Sequence, residues 1–341
     1  MRRLKYQENE RGGISVIVAL LMVTLLGFTA IAVDVGMLYS EKAQLQNGAD
    51  AGALLVAQKC AKNEADPDCS TSSTLAASIL KANALDGRSN LKTLSIDVPN
   101  RTVNVTAGAQ ELGQEANKVS TFFANALGIS STEVNASASV KWGSPTSGTT
   151  PFPLAFSVCQ VSGMVGGAAQ LLQNHSSDAN ADCPLGPAGS VVPGGFGWIV
   201  QDSGSCGGSV NLAIQESGSD TGNDGPSNCD TILNKWGAEL SAGRAITVLL
   251  PVYEAVTGTG SGASYDLLAF AAFNVKGWKF SGGTGLPLVF HNESTDVGSS
   301  LACTGNCRGI IGSFIKYVSL SDGYVLGPVS PYGATVVEFA G

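Results

Sequence analysis

Charge is scarce in this chain, and base is scarcer than acid. Only 13% of the 341 residues are charged, and 19 Lys and Arg stand against 27 Asp and Glu, a formal net charge of −8. Four of the bases (Arg2, Arg3, Lys5, Arg11) and two of the acids (Glu8, Glu10) lie in the first thirteen residues, leaving 15 basic against 25 acidic residues beyond them. So acidic a body argues against nucleic acid or anionic lipid as its ligand. Histidine is rarer still, with only His175 and His291. No CxxC or HxxxH spacing occurs, so a zinc site lacks its ligand pattern. His175 sits in the polar stretch Asn174-His175-Ser176-Ser177-Asp178, and His291 follows Phe290 at the end of an apolar run; neither has the glycine-elbow context of a catalytic triad. The acidic stretch 216–230 holds Asp220, Asp224 and Asp230 but departs from the calcium-loop template, and reads as a solvated loop. The expectation is therefore a protein with no cofactor and no metal, and not an enzyme. No internal repeat points to a propeller or solenoid.

What is present begins with an uncharged apolar run of twenty residues, 14–33. At 1.5 Å per residue, such a helix matches the roughly 30 Å hydrocarbon core of a bilayer. The bases precede it, while Asp34 and Glu41 follow it with Lys42 as the nearby base. That asymmetry predicts a cytoplasmic N-terminus and an extracytoplasmic remainder. Ala30-Ile31-Ala32 would also suit a signal peptidase, but the helix-forming pattern continues past it without proline or turn cluster to Lys62, which favours a retained anchor. Forty-three glycines and the low charge suit a turn-rich, β-rich surface protein.

Eight cysteines follow the run: Cys60, Cys69, Cys159, Cys183, Cys206, Cys229, Cys303 and Cys307. Outside the cytosol an even set reads as a disulfide framework, although eight cysteines allow 105 pairings and sequence does not choose among them. Pairing of neighbours is the expectation, with Cys60 and Cys69 joined around Asp66-Pro67 and Cys303 and Cys307 across Thr304-Gly305-Asn306.

From Val35 to Lys62 the residues favour helix, giving with the apolar run one helix of about 45 residues and near 70 Å. Gly48, Ala49, Gly52, Ala53 and Ala57 lie on one face of it at spacings of four. Such a stripe admits a close helix partner. The alternative is that alanine favours helix and packs on this protein's own domain.

Three linked elements now carry a resemblance: Arg11-Gly12-Gly13-Ile14-Ser15-Val16, then Val33-Asp34-Val35-Gly36, then Leu45-Gln46-Asn47-Gly48-Ala49-Asp50-Ala51-Gly52-Ala53-Leu54. In this order they resemble the N-terminal module of the TadE/TadG-like Flp pilus-assembly proteins, over about residues 11–57. The resemblance implies a membrane-anchored, TadG-like part in assembling a tight-adherence pilus, with membrane and other pilus-assembly or pilin-like proteins as partners. Two departures limit it. The metal-binding Asp-x-Ser-x-Ser of a von Willebrand type A domain is not matched by Asp202-Ser203-Gly204-Ser205. Prepilin peptidase substrates carry Glu five residues into the mature chain, where this sequence has Val18, so the tail is expected to remain.

Downstream, 91–98 and 102–106 alternate as strands around Pro99-Asn100-Arg101, a helix is expected over about 115–127, and 133–142 returns to strand. This gives a small β-β-α-β unit behind a long pilin-like helix. Residues 143–151 read as a flexible linker. Beyond it, apolar runs at 154–158, 196–200, 245–253, 265–275, 286–290, 309–318 and 334–339 predict a sandwich-like β-domain, with one helix over 229–240. The expected class is α+β: tail 1–13, transmembrane helix 14–36, pilin-like unit 37–142, linker 143–151 and β-rich domain 152–341. The alternative function is a surface-displayed module that binds an envelope glycan or protein, which an exposed cluster of Trp198, Trp236, Trp278 and tyrosines would favour.

Overall fold

Nothing in residues 14–62 stops a helix, and in the computed structural model none does. The structure describes residues 11–173, 183–214, 216–218, 225–258, 262–318 and 324–340. Helix α1 (Arg11–Lys62) is continuous over 52 residues. Its two halves face different surroundings. From Ile14 to Val33 the side chains are exposed apart from half-buried Ala30. From Leu45 onward, Gly48, Ala49, Gly52, Ala53, Val56, Ala57, Cys60 and Ala61 are buried, the three-and-four spacing of an amphipathic helix.

The chain divides into two units, Met1–Lys141 with Phe339–Gly341, and Trp142–Glu338. In the first, α1 is followed by α2 (Leu75–Asn83), β1 (Asn90–Asp97), β2 (Thr102–Gly108), β3 (Lys118–Ser120), β4 (Ser131–Glu133) and the start of β5 (Asn135–Thr150). β1 and β2 pair antiparallel, as do β2 and β5, with Val105 opposite Ala138. Val103, Val105 and Ala107 alternate into the core, and α1 packs on both β2 and α2. The contact with α2 is close because α1 has glycine there. A Cβ at Gly48 would lie 3.3 Å from Leu80 Cα, and one at Gly52 would lie 3.1 Å from Leu80 Cδ1.

The second unit follows with β6 (Leu154–Ser157), α3 (Val158–Val161), β7 (Gln170–Gln173), β8 (Phe196–Trp198), β9 (Gly208–Asn211), β10 (Glu216–Ser217), α4 (Asp230–Ser241), β11 (Ile246–Thr257) and β12 (Ser264–Lys279). After these come β13 (Val289–Phe290), α5 (Ser294–Val297), β14 (Gly309–Ile315), β15 (Tyr317–Val318), β16 (Val325–Gly327) and β17 (Thr335–Phe339). An eight-stranded sheet runs β7-β14-β12-β11-β6-β8, with β10 and β13 also on β12. β6 and β11 pair parallel, whereas β11, β12, β14 and β7 form an antiparallel series. Aromatic rings fill the core: Phe156, Phe273 and Phe314 lie 5.0–5.1 Å apart, and Phe152 contacts Trp198, Trp236 and Phe280 at 5.3–5.7 Å.

Two expectations need correction. Residues 143–151 do not form a flexible linker, since β5 continues through Thr150 and pairs with β9 and β16. Gly148 serves that strand by close approach: a Cβ there would lie 2.2 Å from the Tyr324 ring, whose hydroxyl donates to Thr149 O at 2.7 Å. Nor is there a helix over 115–127. Asn117 takes φ 70°, which a helix cannot accommodate, and only Ala124–Leu127 forms a 3-10 turn, closed by Gly128 at φ 85°. In place of the expected β-β-α-β order, β1 and β2 are followed by a short hairpin, β3 and β4, and then by the long strand β5.

Four disulfides join neighbouring cysteines: Cys60–Cys69, Cys159–Cys183, Cys206–Cys229 and Cys303–Cys307. The first closes the end of α1, where Asp68 accepts from the Ser73 hydroxyl and pairs with Lys59 at 3.2 Å. The Ser73 hydroxyl, followed by Lys59, holds the Asp68 carboxyl below its ordinary value.

Two outcomes are expected from this packing. Gly52→Leu forces a branched side chain into the Leu80 contact and should lower the stability of the purified chain in chemical denaturation by about 1–3 kcal/mol. A variant as stable as the parent would place α2 elsewhere. Non-reducing peptide mapping should recover the four neighbour pairs, each contributing about 2–4 kcal/mol; any crossed pair would contradict this arrangement.

Candidate functional site

The point at which α1 leaves its apolar run is the most specifically built feature of the first unit. Asp34, the first charge after the run, is almost fully buried. Its carboxylate accepts backbone N–H groups from Phe122 at 3.0 Å, from Phe123 at 3.0 and 3.2 Å, and from Ala124 at 2.6 Å. A buried carboxylate is costly unless such donors surround it, and bonds to an ionised acceptor are the strong ones. The donors belong to the tip of the hairpin formed by β3 and β4, in which Lys118 stands opposite Glu133 and Ser120 opposite Ser131. The tip is itself closed by Thr121, whose N–H reaches Ser130 O at 3.1 Å and whose hydroxyl bonds Ile129 O. Beside the hairpin, a groove of about 290 Å³ is lined by Val35, Leu38, Tyr39 and Lys42 of α1 and by residues 132–135.

The residues singled out from sequence fall elsewhere. Gly48, Ala49, Gly52, Ala53 and Ala57 are covered within their own unit, Gly48 and Gly52 by Leu80 and its neighbours on α2. The stripe thus packs on this protein's own domain, and a partner helix has no access to that face. Cys60 and Cys69 close the end of α1; the other six cysteines lie in the second unit as three local bridges. Trp142, Trp198, Trp236 and Trp278 are buried, so they present no aromatic binding platform.

Of the two histidines, His291 lies among the described residues. His291 is exposed, stacks on Phe290 at 3.9 Å, and borders a cleft of about 350 Å³ with Lys276 and Asp296. No serine, threonine or cysteine lines that cleft, so the imidazole has no hydroxyl or thiol to activate there. Tyr253 and Tyr265 lie 5.2 Å apart in the core, and burial pushes Tyr265 up to about 12 and Tyr253 higher. Such groups stay protonated near neutrality and serve packing. Among the described residues no group of three or more His, Cys, Asp or Glu could hold a metal ion. His175, Asp220 and Asp224 lie outside the described residues.

Sequence reasoning noted Asp34 as a charge and as part of a motif, but missed its work as the acceptor that fixes a distant turn. The available signal was its position: a lone acid directly after twenty uncharged residues must find donors or water. The turn that answers it, 88 to 90 residues downstream, carries no local mark of the pairing.

Residues 12–59 match the family model described as putative Flp pilus-assembly TadE/G-like. No curated protein and no solved structure matches the chain. The matched segment contains the exposed apolar half of α1, Asp34 and most of the glycine-alanine face packed on α2. The match to this family model thus falls entirely within helix α1.

Proposed function

We propose that the chain is a membrane-anchored, TadG-like structural component of a Flp-type pilus system, with a cytoplasmic tail and both folded units outside the membrane. The observation that carries this function is the family match over residues 12–59. Helix α1 is long and apolar enough to cross a membrane, and its apolar window is unburied. Bases precede that window and all eight cysteines follow it as disulfides, in keeping with an oxidising exterior. In this role the distal half of α1 holds the outer unit to the anchor, because its small-residue face is occupied by α2. Contacts with other pilus-assembly proteins are then left to the bilayer half and the outer surface. The burial of all four tryptophans weighs against the alternative of a glycan-binding module built on aromatic stacking.

Orientation and role are separable by experiment. After reduction of intact cells, a thiol reagent that cannot cross membranes should label Cys307 or its partner Cys303; labelling confined to lysed cells would reverse the topology. Deletion of the gene should abolish surface pili, and restoring the full chain should return them. Normal piliation in the deletion strain would reject the assembly role.

A further inference from the structure

The hairpin tip anchored by Asp34 is apolar, uncharged and exposed. Phe122 is 78% exposed, Leu127 74%, Ile129 51% and Phe123 40%. Between Lys118 and Glu133 the sequence has no charged residue. An exposed apolar patch on a rigid tip is costly in water and marks a contact surface. The two phenylalanines pack edge to face at 4.8 Å, and the 3-10 turn behind them holds Leu127 and Ile129 outward.

The direction of the hairpin identifies what it meets. Gln46 on α1 donates to Ser137 O at 3.1 Å; residues 35–42 lie beside residues 132–135; Asp34 binds residues 122–124. Sequence numbers fall together on the helix and on the hairpin, so the hairpin runs down α1 toward the apolar run, with its tip last. From Gln46 to Asp34 this is a descent of about 18 Å. The tip therefore ends beside Asp34, the residue that directly follows the twenty-residue apolar run. Tyr39 and Lys42, an amphipathic ring and a long cationic stem of the kind found at bilayer interfaces, face the groove just above.

We propose that the tip formed by Phe122, Phe123, Leu127 and Ile129 inserts into the interfacial layer of the same bilayer that α1 crosses, giving the outer unit a second, monotopic foothold beside its anchor. This rests on the spanning role of α1 proposed above. The contact is hydrophobic rather than electrostatic, so it requires no anionic lipid and agrees with the acidic body of the protein. Two footholds constrain the unit in tilt and rotation, where one helix alone would leave it free to turn about its axis.

Full-length protein in phosphatidylcholine vesicles tests this, using lipids brominated on the upper part of the acyl chain. Leu127→Trp places an indole on an exposed position, against a background of four buried tryptophans. Its added fluorescence should be blue-shifted and strongly quenched by the brominated lipid, while the parent protein is quenched little. Leu21→Trp, in the middle of the apolar run, serves as the reference. If Leu21→Trp is quenched and Leu127→Trp emits as in water, the insertion is overturned while the membrane span stands. If neither is quenched, the span itself fails and the insertion with it. A blue-shifted but unquenched Leu127→Trp would mean that protein, such as a second copy, covers the tip, and also overturns the proposal. Phe122→Trp repeats the measurement should Leu127→Trp fold poorly.

Discussion

A helix with no break must satisfy whatever surrounds each of its turns, and α1 passes through two environments in 52 residues. In the hydrocarbon that the proposed anchor would cross, every backbone group must bond within its own segment, so a spanning apolar half has to be helical whatever its side chains prefer. Nothing ends the helix at Val33, so the same rod carries its regular geometry on into the first unit. The first unit is then obliged to form around it. β2 and α2 pack on the distal half of that helix, and α2 comes close where glycine makes the cylinder thin.

That thinness comes from glycine and alanine. Glycine within a helix costs roughly 0.5–1 kcal/mol relative to alanine, and Gly48 and Gly52 are retained where a Cβ would press on Leu80. The cost is offset by bringing α2 close enough to bury Leu80 and Ala76 fully. Small residues at spacings of four mark a close approach of backbones, but they do not record whose backbone approaches. A pattern that serves membrane helix pairs equally serves an intramolecular contact.

Several elements were legible because their signal is local. The hairpin of β1 and β2 declares itself by alternation on either side of Pro99-Asn100-Arg101, and the helix expected over 229–240 is α4; the apolar runs at 154–158, 265–275 and 309–318 each hold strand, with Val158 already opening α3. Short-range disulfide loops were legible for a similar reason, since each pair is separated by no more than 24 residues. What escaped was structure decided at long range. Ser144 to Thr150 has the composition of a linker, yet β9 and β16 supply the hydrogen bonds that make it strand, and Tyr324 supplies the side chain that Gly148 lacks. The stretch 115–127 contains good helix formers, but Asn117 turns left-handed to donate its N–H to Ala109 O at 2.8 Å, and the helix is lost to a tertiary bond.

The least legible element is also the one that joins the two environments. Asp34 directly follows the uncharged run, so in the proposed span it would stand where a carboxylate is poorly tolerated by hydrocarbon and not yet freely hydrated. Three backbone donors from residues 122–124 resolve this locally, at the same stroke holding the hairpin tip against α1. Position along the helix and position of the hairpin thereby become a single variable. Sliding α1 by one residue in a bilayer would carry Asp34 and the tip together by about 1.5 Å, so the depth of the anchor and the height of the outer unit cannot be adjusted independently. A neutral residue at position 34 could end the apolar run equally well by polarity, but it would leave three N–H groups without a charged acceptor and uncouple the two. On the proposed span, the acid at its mouth would serve less to set topology than to transmit the helix's register to the fold built on it.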